Sequence, residues 1–550
     1  MPPSTSSVVI HVLDYGAGNV RSLKNALHAI GYSTVDVERV EDIHNASILL
    51  FPGVGNFQQA MSFLNKNNYV DALKAYIHAN KRFLGICLGM QTLFEGSEEC
   101  PGVPGLGVIP GIVSKFPTEN LAVPHIGWNG VRAQSPSPLF AHLATDEDPT
   151  LYFVHSFRAM PTPANESWVL TTTNYGDVKF ISSIQRGNVM ATQFHPEKSG
   201  AVGLHMLRGF LDGSASATLP PSTTTSTQLR KRVVACLDVR SNDAGDLVVT
   251  KGDQYDVREA SAEGGNVRNM GKPVDLCTRY YREGADEVAF LNITSFREEP
   301  LGDTPMLVVL EAASECVFVP LTVGGGIRAY TDATNRTWSA LDVAARYFRA
   351  GADKVSIGSD AVASAEAYYA SKKTLDGRSS IEQISTVYGR QAVVVSVDPR
   401  RVYVPSLESH PRAIELQHKR GPQGERFCWY QVTVKGGREG RPMDVVELVQ
   451  ACEALGAGEI LLNCVDMDGQ NDGYDLDLVQ LAKRAVTIPV IASSGAGHPD
   501  HFTSVFRATG CDAALAAGIF HRQEVSVDDV KRQLQVDAIP VRRVVVNHAL

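Results

Sequence analysis

One short segment of the chain has the form of a nucleophile site. In Gly85-Ile86-Cys87-Leu88-Gly89, a cysteine lies between two glycines where the apolar run "RFLGIC" changes into a helix-like run. A nucleophile on such a strand-to-helix corner needs small neighbours, because the backbone is strained there. The start of a helix also favours a thiolate. We therefore predict that Cys87 is a nucleophile, the alternative being a buried, inert cysteine.

Two later residues could handle the proton of that thiol. The segment "QFHPEKS" follows an apolar strand and contains His195 and Glu197. The imidazole would take the proton, and the carboxylate would fix its tautomer. The loop "PGVGNF" and the N–H of Leu88 could form an oxyanion hole. Taken singly, each motif is also compatible with an ordinary solvated or tight turn.

The elements around these motifs indicate a layered fold. Strand-like and helix-like runs alternate from "VVIHVLDYG" onward, which predicts a mostly parallel sheet with helices on both faces. The segment 213–228, "GSASATLPPSTTTSTQ", is rich in Ser, Thr and Pro and has no apolar period. It is typical of a linker. We predict an α/β chain with domains at 1–212 and 229–550.

The second part repeats a short pattern eight times and is predicted to be a (β/α)8 TIM barrel. The apolar runs are Val233–Val239, Glu287–Ile293, Leu321–Gly326, Lys354–Ser359, Ala392–Asp398, Glu459–Asp466, Pro489–Gly495 and Ala513–Gly518. The first four resemble the last four, as in "VPLTVGGGI" and "IPVIASSGAG", which indicates a duplicated half-barrel.

Chemistry in a barrel of this kind belongs at the carboxyl ends of the strands. Asp238 and Asp398 end equivalent strands of the two halves, which suggests an acid/base pair. Lys251 is a further basic candidate. Small residues at four strand ends could cradle two phosphates, although tight turns would use them equally well. These residues are Gly325, Gly326, Gly358, Ser359, Ser494, Gly495, Ala517 and Gly518.

The opposite face of the barrel is predicted to carry alternating charges. Arg232, Glu287, Lys354 and Glu459 each begin a strand. They could form an ordinary salt-bridge layer or a gate through which a small molecule enters the barrel. The segment "VPHIGWNGV", with Pro124 and Trp128, could be a core turn, but we favour an exposed aromatic loop at the interface between the domains.

Composition limits the classes of function. The 550 residues exceed one hydrophobic core, and the formal net charge of −9 argues against nucleic-acid binding. The sequence contains no apolar run of bilayer length and no secretory signal, and its nine cysteines include no C-x-x-C pair. We expect a cytoplasmic enzyme without metal or cofactor, and a monomer because its partner domain is intramolecular.

In their order along the chain, "PGVGNF", "GICLGMQ" and "HPEKS" resemble the class I glutamine amidotransferase family. The resemblance implies that a thiolate attacks the side-chain amide of L-glutamine and releases ammonia. It assigns Cys87 as nucleophile, His195 as base and Glu197 as the residue that orients it. Gly55 and Gln91 match positions that contact glutamine.

The barrel resembles the cyclase of histidine biosynthesis through "ACLDV", "VVSVDPR", "DMDGQNDGYD" and "LAAGIFH". The whole chain resembles the fused form of the imidazole glycerol phosphate synthase family. That resemblance implies conversion of the biphosphorylated substrate PRFAR with ammonia into imidazole glycerol phosphate and AICAR. Asp238 and Asp398 match the catalytic aspartates, and Asp468 matches a substrate-binding position. Asn292 and Ser494 depart from the pattern of many single-domain relatives.

Two other functions fit parts of the sequence. A glutaminase could be fused to a different phosphate-binding barrel, such as the sugar isomerase that precedes the cyclase. Fusion to an ammonia source does not suit an isomerase. A non-catalytic glutamine sensor is the second alternative, but a sensor has no need of Cys87, His195 and Glu197.

Overall fold

The computed structural model describes residues 9–143, 150–213, 216–219, 227–241, 247–249, 271–293, 304–332 and 334–543. The N-terminal region is built on an eight-stranded mixed sheet. Its strands, in spatial order, are Ser33–Asp36, Val9–Val12, Ile48–Gly53, Arg82–Cys87, Val189–Thr192, Val178–Arg186, Val169–Tyr175 and Arg132–Ala133. The first five are parallel and the last three are antiparallel additions.

Helices cover this sheet, and two smaller sheets extend the domain. Every residue of the central strand Ile48–Gly53 is buried, as expected for a parallel strand covered on both faces. The helices are Val20–Ala29, Val40–Asn45, Phe57–Lys66, Tyr69–His78, Leu88–Gln91 and Gly200–Leu211, with short 3-10 turns at Pro138–Phe140, Glu166–Trp168 and Pro196–Lys198. The smaller sheets pair Phe94–Ser97 and Phe157–Arg158 with Ile109–Lys115, and His125–Gly130 with Thr150–His155.

The C-terminal region is a closed barrel of eight parallel strands. Barrel strands 1 to 8 are Arg232–Ser241, Glu287–Asn292, Leu321–Gly324, Lys354–Ile357, Val393–Val404, Glu459–Asn463, Val490–Ser493 and Ala513–Ala516. Strand 8 closes on strand 1 with Arg232 opposite Ala513. The predicted fold class and all eight predicted strands are confirmed.

The outer layer of the barrel consists of helices with well-formed ends. Ser339, Asp444 and Ser526 each begin a helix with a capping box, and Gly351 ends one with a φ of 119°. The helices are Pro273–Arg282, Thr304–Cys316, Ala340–Ala350, Ser359–Ala370, Ser380–Tyr388, Val445–Leu455, Leu476–Ala485, Pro499–Thr509, Gly518–His521 and Val527–Val536, with 3-10 turns at Arg390–Ala392, Leu407–Ser409 and Val465–Met467.

Barrel strand 5 is longer than its apolar run predicted. It continues past Asp398 to Val404 because it pairs with an antiparallel strand, Phe427–Val434, in the segment between barrel strands 5 and 6. Smaller strands lie at Ile414–Glu415, Glu439–Asp444, Leu247–Val249, Tyr330–Thr331 and Thr337–Trp338. Much of the segment 213–228 lies outside the described residues, so the domain boundaries remain a prediction. Among the helices in the described ranges, none combines the length and apolar character of a membrane span.

Candidate active sites

Cys87 lies at a strained corner of the N-terminal sheet. It ends strand Arg82–Cys87 immediately before helix Leu88–Gln91, with φ 53° and ψ −106°. A Cβ atom on Gly89 would lie 1.9 Å from the carbonyl oxygen of Phe51, and one on Gly85 would lie 2.9 Å from Gly89. Because only glycine fits at both positions, the two glycines allow this close approach of strand and helix.

His195 and Glu197 form a buried pair. Nδ1 of His195 lies 2.7 Å from Oε1 of Glu197, and its backbone N–H donates to the carbonyl of Tyr152 at 2.9 Å. Burial disfavours protonation of the ring, but the negative charges of Glu197 and Cys87 outweigh it and raise the pKa of His195 well above its ordinary value. Nε2 is buried, and the side chain of Cys87 is among the groups that raise the pKa of the ring, so this nitrogen can hold the proton of the thiol.

The loop after strand Ile48–Gly53 lies beside this corner. Gly53 is the register partner of Cys87 on the neighbouring strand. Gly55 has φ 129°, and a Cβ there would lie 2.8 Å from the carbonyl oxygen of Val387 in the barrel. Leu88 begins the next helix, so its N–H is among those without an intrahelical acceptor.

Gln91 is connected to Cys87 through Gln193, a residue that was not predicted from the sequence. Its Nε2 donates to Oε1 of Gln193 at 3.0 Å, and Nε2 of Gln193 donates to the sulfur of Cys87 at 3.5 Å. Both glutamine side chains are buried. Gln193 stands two residues before His195 in "QFHPEKS", so its position in that motif was the available signal.

The mouth of the barrel holds a cavity of about 360 Å³. Asp238 and Asp398 both line it, from opposite sides of the duplicated barrel. Burial raises the pKa of Asp238 to about 6, although the thiol of Cys236, 3.7 Å away, partly opposes the shift. Burial also raises the pKa of Asp398, against the hydrogen bond that Asn463 donates at 2.9 Å. Neither Cys236 nor Asn463 was predicted.

The phosphate candidates divide into two groups. Those from the second half of the barrel line the cavity, namely Asp468, Ser494, Gly495, Ala517 and Gly518. Ser494 has φ 73°, a conformation that favours glycine and explains why glycine is acceptable at this position. The candidates from the first half are not among the residues that line this cavity, namely Gly325, Gly326, Gly358 and Ser359. Lys251 lies outside the described residues.

The four predicted charges meet at the bottom of the barrel. Lys354 Nζ lies 2.7 Å from a carboxylate oxygen of Glu287 and 2.7 Å from one of Glu459. Arg232 binds the same two glutamates, at 3.1 Å from Glu287. All four side chains are buried. Burial disfavours the charge of Glu459, but Arg232 and Lys354 outweigh it and lower its pKa. The charges therefore form a closed ring.

A small cavity of about 30 Å³ lies between the two regions. His195 and Glu197 line it from the N-terminal domain, and Lys354 lines it from the ring. This space is large enough for a molecule of the size of water. Lys198 of the N-terminal domain and Asp353 of the barrel, 2.7 Å apart, lie on its wall.

Trp128 lies at the domain interface, but its predicted setting was wrong. It is part of strand His125–Gly130 rather than an exposed loop, and it is fully buried. Its indole N–H donates to the carbonyl of Asp286 at 3.1 Å, and the guanidinium of Arg542 lies 4.0 Å from the ring centroid. An aromatic ring that buries its face and satisfies its N–H is well suited to an interface.

Both regions of the chain match known protein families. The family model described as "Glutamine amidotransferase class-I" matches residues 11–212, and the one described as "Histidine biosynthesis protein" matches 232–526. A relative from Arabidopsis thaliana, "Imidazole glycerol phosphate synthase hisHF, chloroplastic", is 58% identical over 98% of this chain and 90% of its own length.

Further relatives cover either the whole chain or the barrel region. "Imidazole glycerol phosphate synthase hisHF" of Schizosaccharomyces pombe is 53% identical over 97% of this chain and 100% of its own length. "Imidazole glycerol phosphate synthase subunit HisF" of Haloarcula marismortui is 38% identical over 57% of this chain and 99% of its own. The chain therefore belongs to the imidazole glycerol phosphate synthase family.

Proposed function

We propose that Cys87, His195 and Glu197 release ammonia from glutamine in this chain, whose family joins a glutamine amidotransferase to a cyclase of histidine biosynthesis. The thiolate attacks the side-chain amide carbon, and the N–H groups near Gly55 and Leu88 stabilise the oxyanion. His195 carries the proton from the thiol to the departing ammonia, leaving a thioester on Cys87. Water then cleaves the thioester to give glutamate. Gln91 binds the substrate beside the thiol.

The observation that carries the coupling of the two sites is the cavity shared by His195 and Lys354. Ammonia released beside His195 would be adjacent to the ring that closes the bottom of the barrel. Each cation of the ring contacts both glutamates. Displacement of Lys354 would therefore open a gap between the two glutamates, while Arg232 still contacts both carboxylates. We propose that ammonia enters the barrel by this movement and reaches the opposite face.

At that face, Asp398 and Asp238 act as the acid/base pair that closes the imidazole ring from PRFAR and ammonia. A carboxyl group that titrates near pH 6 can both accept and donate a proton near neutral pH, which suits Asp238 to this work. The phosphate nearer to Asp468 binds at Ser494, Gly495, Ala517 and Gly518. The other phosphate binds at Gly325, Gly326, Gly358 and Ser359, with Lys251 as a further contact.

We also propose the domain boundaries 1–212 and 229–550, with a linker at 213–228. The two family matches end and begin on either side of this segment. A monomer is sufficient because both sites and the ring belong to one chain. A cytoplasmic location remains our prediction, and the Arabidopsis relative is named as chloroplastic.

The decisive experiment supplies purified protein with glutamine and PRFAR and follows glutamate and AICAR together. We expect the two products to appear in equal amounts, because ammonia is transferred within the molecule. Ammonium salt without glutamine should also support AICAR formation. For the ring variant Lys354→Met, the matched control is Lys372→Met at an exposed position. Glutamate formation without AICAR would contradict the proposed cyclase function.

A further inference from the structure

Two buried histidines of the N-terminal domain have no place in the mechanism above. His125 and His155 are register partners on the paired strands His125–Gly130 and Thr150–His155. Nδ1 of His125 lies 3.1 Å from Nε2 of His155, and their exposed fractions are 0% and 3%. Burying two imidazoles costs free energy unless their nitrogen atoms are hydrogen-bonded. Each ring nitrogen of this pair should therefore have a hydrogen-bond partner.

The direction of these hydrogen bonds follows from one carbonyl group. Nδ1 of His155 lies 2.7 Å from the oxygen of Phe157, which can only accept, so this nitrogen carries the hydrogen. In a neutral ring Nε2 of His155 is then an acceptor, and Nδ1 of His125 must donate to it. The remaining nitrogen of His125 is left to accept from Nδ2 of Asn129, at 3.5 Å.

The surroundings keep both rings neutral. Burial lowers the pKa of His125 well below its ordinary value, and the neighbouring His155 lowers it further. Burial lowers the pKa of His155 to about 3, although its bond to the Phe157 carbonyl partly opposes the shift. The rings are enclosed by aromatic side chains, namely Phe116, Phe153, Tyr175 and Phe180. A neutral pair has one fixed direction of donation across the physiological pH range.

One end of this chain of hydrogen bonds reaches the glutaminase site. The Phe157 oxygen that accepts from His155 also accepts from Nε2 of Gln91 at 3.1 Å. The same Nε2 binds Gln193, whose own amide N–H donates to Cys87. A shift of the Phe157 carbonyl would therefore move Gln91, and with it the amide group that contacts the thiol.

The other end belongs to the strand that contacts the barrel. Strand His125–Gly130 also carries Trp128, which is hydrogen-bonded to the Asp286 carbonyl and packed on Arg542. The partner strand Thr150–His155 holds the backbone of His195 through the Tyr152 carbonyl. The two histidines thus join a strand fixed on the barrel to a strand that holds catalytic groups.

We propose that His125 and His155 are positioning residues that hold Gln91 and Gln193 beside Cys87 from the strand seated on the barrel. This inference rests on the proposed glutaminase function. The alternative is that both rings only fill the aromatic core. The two accounts differ over whether the N–H of His155 matters apart from the volume of its ring.

The test compares His155→Leu with His155→Asn. The two replacements have the same branching and the same number of heavy atoms, but asparagine keeps a side-chain N–H near the position of Nδ1 and leucine has none. We expect His155→Leu to raise the KM for glutamine about three- to tenfold, the effect of one lost hydrogen bond, with a smaller change in kcat. His155→Asn should stay within about twofold of the parent KM, since the donor is retained.

Two controls separate positioning from packing. Phe116→Leu disturbs the aromatic enclosure but removes no hydrogen bond, so it should lower the melting temperature without changing the KM for glutamine. AICAR formation from ammonium salt should be unchanged in all variants, because it reports the barrel alone. If His155→Leu does not fold, the same comparison is made at His125, where asparagine again replaces the Nδ1 donor.

A double-mutant cycle with Gln91→Ala completes the experiment. If His155 acts through Gln91, its effect on KM should largely disappear once Gln91 is absent. Equal KM values for the Leu and Asn variants, or additive effects in the cycle, would overturn the inference. Failure of the glutaminase function itself would appear differently, as glutamine-dependent synthesis that survives in Cys87→Ala.

Discussion

The two candidate active sites raise the pKa of a buried group by opposite means. At His195, burial opposes the charged ring, and the charges of Glu197 and Cys87 overcome it. At Asp238, burial itself raises the pKa, to about 6, and a neighbouring thiol opposes the change. The first site depends on a charged partner 2.7 Å away. The second depends on exclusion of water, so the two should respond differently to mutation.

The two sites also differ in backbone conformation. Cys87 occupies a conformation with positive φ that close-packed glycines permit. Asp238 and Asp398 lie on regular barrel strands and line a cavity of about 360 Å³. A strained corner with short hydrogen bonds suits one small amide substrate. A wide mouth built from strand ends suits a larger substrate with two phosphates.

The largest expected effect separates the two sites. Cys87→Ala should reduce glutamine-dependent AICAR formation at least about 10⁴-fold, because the covalent step is lost. Synthesis from ammonium salt should be unchanged, since the barrel is intact. Both rates are measured on one preparation, with Cys100→Ala as the cysteine control. Loss of both activities would contradict the division.

Asp398→Asn should remove synthesis from either nitrogen source. Loss of a general acid or base costs on the order of 10²–10⁴-fold in rate. The exposed Asp376→Asn provides the control of equal charge change. AICAR formation is followed with glutamine and with ammonium salt. An Asp398→Asn enzyme with full activity would exclude this residue from catalysis.

Glu197→Gln should remove the charged partner that raises the pKa of His195, so that burial determines the pKa at this site as it does at Asp238. Without the carboxylate, burial dominates and the pKa of His195 falls, so the imidazolium is lost at lower pH than in the parent. We expect glutamine-dependent activity to fall about 10²-fold. The pH profile should shift, whereas that of the exposed variant Glu166→Gln should not. An unchanged profile would show that Glu197 does not set the charge of His195.

Lys354→Met should break the ring that separates the two sites. Removing one partner from a buried ion-pair network costs about 3–5 kcal/mol, so the melting temperature should drop. The ratio of glutamate to AICAR should rise above one, because transfer of ammonia becomes less efficient. Activity with ammonium salt checks that the barrel is folded. An unchanged ratio would reject Lys354 as part of the gate.

The smallest effect concerns stability at the barrel mouth. The pKa of Asp238 is about 6 in the folded state and about 3.9 unfolded. At pH values between these two pKa values, Asp238 binds more protons in the folded protein than in the unfolded chain. The free energy of unfolding therefore falls as the pH rises, by up to about 3 kcal/mol. Asp238→Asn should therefore melt about 5 °C above the parent at pH 7.5 and close to it at pH 4. Equal differences at both pH values would contradict burial as the cause.

Much of the architecture was predictable because it repeats. Eight apolar runs with helices between them indicated the barrel, and the structure contains a strand at each one. The extension of barrel strand 5 to Val404 was not predicted, since it depends on pairing with Phe427–Val434, a separate segment outside the eight apolar runs. The setting of Trp128 was misjudged for a similar reason. Its burial depends on Asp286 and Arg542, which are far away along the chain.

The sequence by itself determined which residues could react. A glycine-flanked cysteine, a His-Pro-Glu segment and two aspartates at equivalent strand ends are local patterns, because backbone strain and strand ends act over a few residues. Only the tertiary structure decided how these groups are connected. The carbonyl shared by His155 and Gln91, the contact of Gln193 with Cys87, and the ring beside the small cavity all join distant segments. Such contacts arise from packing between elements, which no local pattern in the chain specifies.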